Sequence, residues 1–150
     1  MVRTLVDPLT HDLAVVDALE GIDGGTHPVG YAGAPDGALV ALMGTGGPDY
    51  LIVYPLPGGW RDGPLGDPYA DVELAYQITC VGALAAGVRH LVSLIEPALV
   101  DLVVEGREVV QVTPDDMGAV RLDPDVKPDR QGAGVFIATP RFRIVTTPTT

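Results

Sequence analysis

The chain has no asparagine and only one serine, one cysteine and one lysine, and each scarcity removes a class of function. Without asparagine there is no N-glycosylation acceptor. A single cysteine, Cys80, excludes an internal disulfide framework and fits a reducing compartment. A nucleophilic hydrolase needs an activated hydroxyl or thiol with a base beside it, usually on a strained elbow. The one serine, Ser93, stands instead on the polar side of a helical pattern. Long apolar runs are missing too. Glycine, proline and polar residues break every charge-free stretch, and Asp7 and Asp12 interrupt the N-terminal region where a signal peptide would need an apolar core. The expectation is a soluble, unexported chain with no membrane contact. Positive charge is also scarce: 9 basic residues face 20 acidic ones, a formal net charge of −11, which argues against a protein that grips nucleic acid by its phosphates.

What is present suits one folded domain spanning 1–150. Hydrophobic residues make up 47% and charged residues 19%, too apolar for a disordered chain of this length. The 19 glycines and 14 prolines leave little room for long helices, so strands and structured loops should dominate.

Asp7-Pro8 reads as a helix start, with an aspartate cap and a proline where no amide hydrogen is needed. Leu9, Leu13 and Val16 follow at helical spacing, giving a helix over about 8–20 closed by Gly21. Residues 21–37 are glycine-rich and aperiodic, an exposed loop. Ala38–Met43 and Tyr50–Leu56 are short apolar runs around Gly44-Thr-Gly-Gly-Pro48, which predicts a hairpin. Residues 57–68, dense in proline and glycine, predict a second exposed loop carrying Trp60, Arg61 and Asp62. Val72, Leu74, Tyr76, Ile78 and Cys80 alternate with polar or small residues, the signature of a strand covered on one face, with Cys80 as a small core hydrophobe. Leu84, Val88, Leu91, Ile95, Ala98 and Leu99 share one face of a helix that should pack on that strand and kink near Glu96 because of Pro97. Arg107–Thr113 and Val135–Val145 predict strands, with residues 115–134 an acidic, mobile loop that includes a short strand at 119–122. The order implies an α+β domain: an antiparallel or mixed sheet of four to five strands with two helices packed on it.

Candidate chemistry is sparse. His11, His27 and His90 are isolated in sequence, so a zinc site would need distant segments to converge. Asp115, Asp116, Asp123, Asp125 and Asp129 are oxygen-rich, yet Lys127 stands where a calcium loop needs a third ligand. Gly44-x-Gly-Gly lacks the lysine of a phosphate loop. The expectation is therefore no catalytic residue, no metal and no cofactor. Arg141 and Arg143 fall on one face of the last strand as a candidate partner-binding strip, and Trp60, Arg61 and Asp62 form a candidate interface group.

Three segments in order, Tyr50-Leu-Ile-Val-Tyr-Pro, Arg61-Asp-Gly-Pro-Leu-Gly-Asp-Pro and Tyr76-Gln-Ile-Thr-Cys-Val-Gly, resemble the tail terminator, or tail-completion, proteins of long-tailed siphophages infecting actinobacteria. The segment Asp129-Arg-Gln-Gly-Ala-Gly-Val-Phe-Ile-Ala-Thr-Pro-Arg-Phe-Arg is similar to the same family, so the resemblance covers roughly 50–145. Eight arginines against one lysine agree with a GC-rich genome. The resemblance implies a structural virion subunit without catalysis. It would form a hexameric homo-oligomeric ring on the head-proximal end of the tail tube, end tube growth and present a surface to the head connector. Its partners would be the tail-tube protein and the connector or stopper, with DNA passing through an acidic lumen, in the virion neck and in the host cytoplasm during assembly. Alternatives are a neighbouring stopper or adaptor, a tail-tube subunit and, from another class, a small metal-dependent hydrolase using the 115–129 carboxylates.

Overall fold

A computed structural model describes residues 8–60, 71–127 and 134–149, and forms a single α+β domain. In these residues helix α1 spans Pro8–Glu20, α2 Ala38–Gly44 and α3 Ala85–Val100; the strands are β1 Val29–Tyr31, β2 Tyr50–Trp60, β3 Val72–Gly82, β4 Val103–Val104, β5 Arg107–Asp116, β6 Arg121–Leu122, β7 Phe136–Ala138 and β8 Arg141–Pro148. That is one helix and several short strands more than the sequence implies.

The sheet runs β1-β2-β3-β8-β5-β4, with β7 pairing the far end of β3 and β6 pairing β7. Only β1 on β2 is parallel; the other pairs are antiparallel. Helix α1 touches β1 and β2 at one end of the strand order and β4 at the other, so the sheet curls around α1 and α3. Inside the curl lies the main core, with Leu51, Val53, Tyr76, Ile78, Cys80, Phe142 and Ile144 from the sheet against Val15, Leu19, Val88, Leu91, Ile95 and Leu99 from the helices. The alternation read in β3 is what the fold uses: Val72, Tyr76, Ile78 and Cys80 are buried on the helix side. Burial, and to a lesser degree the charge of Asp49, pushes the Cys80 thiol up to about 12, which leaves it an inert core group.

Several expectations are corrected. The run 38–43 is helical, not a strand. Ala38 and Leu42, four residues apart, are buried while Val40 is exposed. With Tyr50, Ile52, Val81, Val135 and Ile137 they form a second, smaller core on the outer face of the sheet. There is thus no hairpin between 38–43 and 50–56, and Gly47 packs against Ala41, where a Cβ would sit 2.8 Å from that side chain. The 21–37 segment is not a plain exposed loop, because it holds a one-turn helix at Ile22–Gly25, with Ile22 buried, and the parallel edge strand β1. Strand β2 runs through the prolines into 57–60: beyond Val53 its outer edge has no partner strand among the described residues, so Pro55 and Pro57 remove no ladder donor, and a bulge between Leu56 and Gly59 carries the chain to Trp60. The predicted strand 135–145 is two strands, broken at Thr139-Pro140, where the Pro140 carbonyl accepts the Ile78 amide and hands the pairing of β3 from β7 to β8.

The sequence expectation at Pro97 is a kink or restart near Glu96; α3 runs as one helix through Pro97, with no restart there. Proline leaves the carbonyl one turn back, at Ser93, without its helical donor, and Ser93 is exposed, where water serves. Leu84 is corrected as well. It is the N-cap, with extended backbone at φ −128° and ψ 142°, and is 70% exposed rather than buried against β3. Helix α1 has the expected bounds, Pro8–Glu20, but Leu9 and Leu13 are exposed while His11, Asp12, Val15, Val16 and Leu19 face inward.

The start of α3 makes its own prediction. Leu84 gives no side-chain cap, and the Asp49 carboxylate lies where a Cβ on Gly87 would be 2.5 Å from its Oδ2 and one on Gly82 2.9 Å from its Oδ1. An acidic group at a helix N-terminus is worth about 0.3–1 kcal/mol. Replacing a helical glycine with alanine ordinarily gains about 1 kcal/mol. Gly87→Ala should therefore give no gain in the native background but recover about 1 kcal/mol when Asp49 is also alanine. Urea denaturation of the four proteins measures this coupling, and additive single effects would show that the carboxylate does not occupy the glycine cradle.

Candidate assembly surface and buried polar clusters

Arg141 and Arg143 project from the outer face of β8, opposite Phe142 and Ile144, which point into the core. Register sets their neighbours. Arg143 stands between Ala75 of β3 and Thr113 of β5, and Arg141 between Gln77 and Asp116. The Arg143 Nε donates to both oxygens of Asp115 at 2.8 Å, and its Nη1 donates to Glu73 Oε1 at 2.9 Å. Three strands are thereby tied across the outer face by one planar guanidinium. The ties are solvent-screened, and pairs of this kind contribute at most about 1 kcal/mol, so they order the surface more than they stabilise the fold.

This corrects the reading of residues 115–127 as plain loop around a short strand. Asp115 and Asp116 belong to β5, Asp115 is already occupied by Arg143 of its own chain, and β6 pairs with β7. The Asp123 carboxylate accepts the Asp125 amide, the Asp123 amide donates to the Val135 carbonyl, and Val126 packs on the outer core. Asp129 lies outside the described residues. Of the candidate group Trp60, Arg61 and Asp62, Trp60 ends β2 opposite Val72, and Arg61 and Asp62 lie outside the described residues. The structure thus brings Arg141 and Arg143 together on one face and gives no placement of Arg61 and Asp62 beside them.

Sequence reading missed a buried polar cluster that joins α1 to four strands. Successive residues at the start of α1 hold the curl closed. Asp12, buried at 6% exposure, accepts the Tyr31 hydroxyl from β1 at 2.7 Å and the Tyr76 hydroxyl from β3 at 2.6 Å. His11 Nε2 meets Thr146 Oγ1 of β8 at 2.9 Å, and that hydroxyl also accepts Arg107 Nε of β5 at 2.9 Å, while Arg107 Nη2 donates to the Thr146 carbonyl. Among the described residues every buried side-chain polar atom has a partner. The Tyr76 hydroxyl titrates far above its ordinary value because it is buried and bonded to Asp12; that of Tyr31 is raised chiefly by the same carboxylate.

The other two histidines are not isolated in space. His27 and His90 both direct Nε2 at Asp23 Oδ2, at 2.9 and 3.0 Å. Only the four-residue spacing of Asp23 and His27 could have signalled this, since His90 comes from another element. No group of three or more His, Cys, Asp or Glu among the described residues is placed to hold a metal ion. Among the same residues no helix is long and apolar enough to cross a membrane. A shallow groove of about 500 Å³ lies between α3 and the 117–120 segment, lined by Arg89, Val92, Ser93, Met117 and Val120.

No protein-family model and no curated protein matches the chain. Among solved structures, one chain from the virion of a native gene transfer agent particle is similar at a TM-score of 0.47 and 17% identity, covering 93% of this chain and 99% of that one. Another, which carries no descriptive name, is similar at a TM-score of 0.49 and 14% identity, covering 95% and 94%.

Proposed function

We propose that this chain is a structural subunit of a phage virion, a ring-forming protein that caps the head-proximal end of the tail tube and offers the attachment surface for the head connector. The observation that carries the reading is where the terminator-like segments fall. Tyr50–Pro55 is in β2, Tyr76–Gly82 in β3, and 136–143 spans β7 and the start of β8. The Arg61–Pro68 segment and residues 129–133 lie outside the described residues; the segments that are described fall on adjacent strands of one sheet, which supports the reading. Their outer face presents Arg141, Arg143 and the carboxylates around them. The sheet also ends in two short strands, β1 and β4, with the Val103 side chain exposed on β4. A surface of this kind is suited to contacts with copies and with neighbouring rings, and a net charge of −11 lets DNA pass without adhering.

Electron microscopy of intact particles tests the role. One ring of this chain at the neck is the expected result; many rings along the tail would make it a tube subunit, and filaments formed by the purified chain would point the same way. Trp60→Ala and Arg141→Glu should leave a folded subunit and reduce the yield of joined particles. Undiminished assembly in both variants would remove these residues from the interface.

A further inference from the structure

The connector between α1 and β1 is fastened to α3 by groups that the proposed assembly role does not use. Asp23, at φ 50° within the one-turn helix, holds His27 Nε2 and His90 Nε2 on a single carboxylate oxygen. The other ring nitrogen of His27, Nδ1, faces the Asp49 backbone carbonyl at 2.9 Å. A carbonyl and a carboxylate only accept, so both His27 bonds exist together only when both of its nitrogens carry protons. His90, by contrast, needs a proton only on Nε2 and can donate from the neutral or the charged ring.

We propose that Asp23, His27 and His90 form a proton-dependent clasp that pins the 21–28 connector, and with it the edge strand β1, onto α3, closed when His27 is doubly protonated and loosened when it loses one proton. The groups facing His27 are the Asp23 carboxylate from the connector, His90 sharing that oxygen from α3, and the Asp49 carbonyl from the approach to β2; the Asp49 carboxylate itself turns to Gly82 and Gly87. Bonding to His27, foremost, holds the Asp23 carboxyl below its ordinary value. A lowered carboxyl contributes stability above its unfolded value and loses it only as pH falls through the folded one, so Asp23 remains charged across the range where histidines titrate. What closes or loosens the clasp is then the second proton on the His27 ring, which its two acceptors require.

Amide hydrogen exchange, corrected for the intrinsic rate, reads the clasp directly. Protection of residues 22–31 should be about tenfold higher at about pH 5.5 than at about pH 8, the difference between a charge-assisted bond and a lost one. In Asp23→Asn, which keeps a residue tolerant of positive φ, that difference should vanish. In His90→Gln, which keeps a donor but cannot titrate, it should persist. Equal protection of the native chain at both pH values, an undiminished difference in Asp23→Asn, or its loss in His90→Gln would each overturn the assignment.

Discussion

Asp12→Ala should cost about 3–5 kcal/mol, because it strips the acceptor from two tyrosine hydroxyls at once and leaves that of Tyr76 buried with no partner. A domain of this size is stable by about 5–15 kcal/mol, so the variant should be marginally folded at best. The two hydroxyls are not equivalent. Tyr76→Phe should cost about 2 kcal/mol, whereas Tyr31→Phe should cost less, since Tyr31 is 41% exposed and water can donate to Asp12 in place of its hydroxyl. Chemical denaturation ranks the three variants against Asp36→Ala, an exposed aspartate. An Asp12→Ala cost no larger than that of Asp36→Ala would mean that the carboxylate does not hold the curl. The alkaline limb offers an independent check. Both tyrosines titrate above their unfolded value in the folded protein, so their contribution is fully present below about pH 10 and declines as pH rises from there toward the folded values. Replacing Tyr76 with phenylalanine should flatten that decline.

The elements legible in the sequence are those whose burial is governed by one long periodic face. Strand β3 shows its alternation over nine residues and helix α3 its stripe from Val88 to Leu99, and both are where the pattern puts them. The α2 segment was unreadable for the opposite reason. Seven residues give barely two turns, and Ala-Leu-Val-Ala-Leu-Met satisfies a buried strand as well as a helix; only the outer core, assembled from β2, β3 and the 135–137 stretch, selects the Ala38 and Leu42 face. Strand β1 is three residues of edge backbone, with a central glycine whose Cβ would collide with the Gly33 carbonyl, and no side-chain pattern announces it.

The buried polar cluster was hidden by a sound general rule applied to the wrong face. Helix α1 offers Leu9 and Leu13 as an obvious apolar stripe, but the fold turns His11 and Asp12 inward because each finds partners there. Those partners lie 19, 64 and 135 residues away, a distance over which no local pattern operates. The two arginines on β8 were legible for the complementary reason. Alternation alone sends Arg141 and Arg143 to one face, and it is only the Asp115 and Glu73 clasp on Arg143 that needs the register of three strands.

Leu91→Ala should lower stability by about 2–5 kcal/mol and the melting temperature by roughly 5–15 °C, because Leu91 is fully buried between α3 and the sheet and its truncation leaves a cavity in the main core. Leu84→Ala should change stability by no more than about 0.5 kcal/mol, as should Arg89→Ala. The contrast between the two leucines separates the sequence pattern from the fold. On a continuous helical wheel Leu84 and Leu91 lie on the same face, and equal costs would follow. Residue 84, however, precedes the helix: its extended backbone breaks the 100° progression and turns the side chain to solvent, while the progression from Val88 through Leu91, Ile95 and Leu99 stays intact. Thermal melts of Leu84→Ala, Arg89→Ala and Leu91→Ala decide between the two. A Leu84→Ala penalty matching that of Leu91→Ala would place the start of α3 at least one residue earlier, with Leu84 packed against β3.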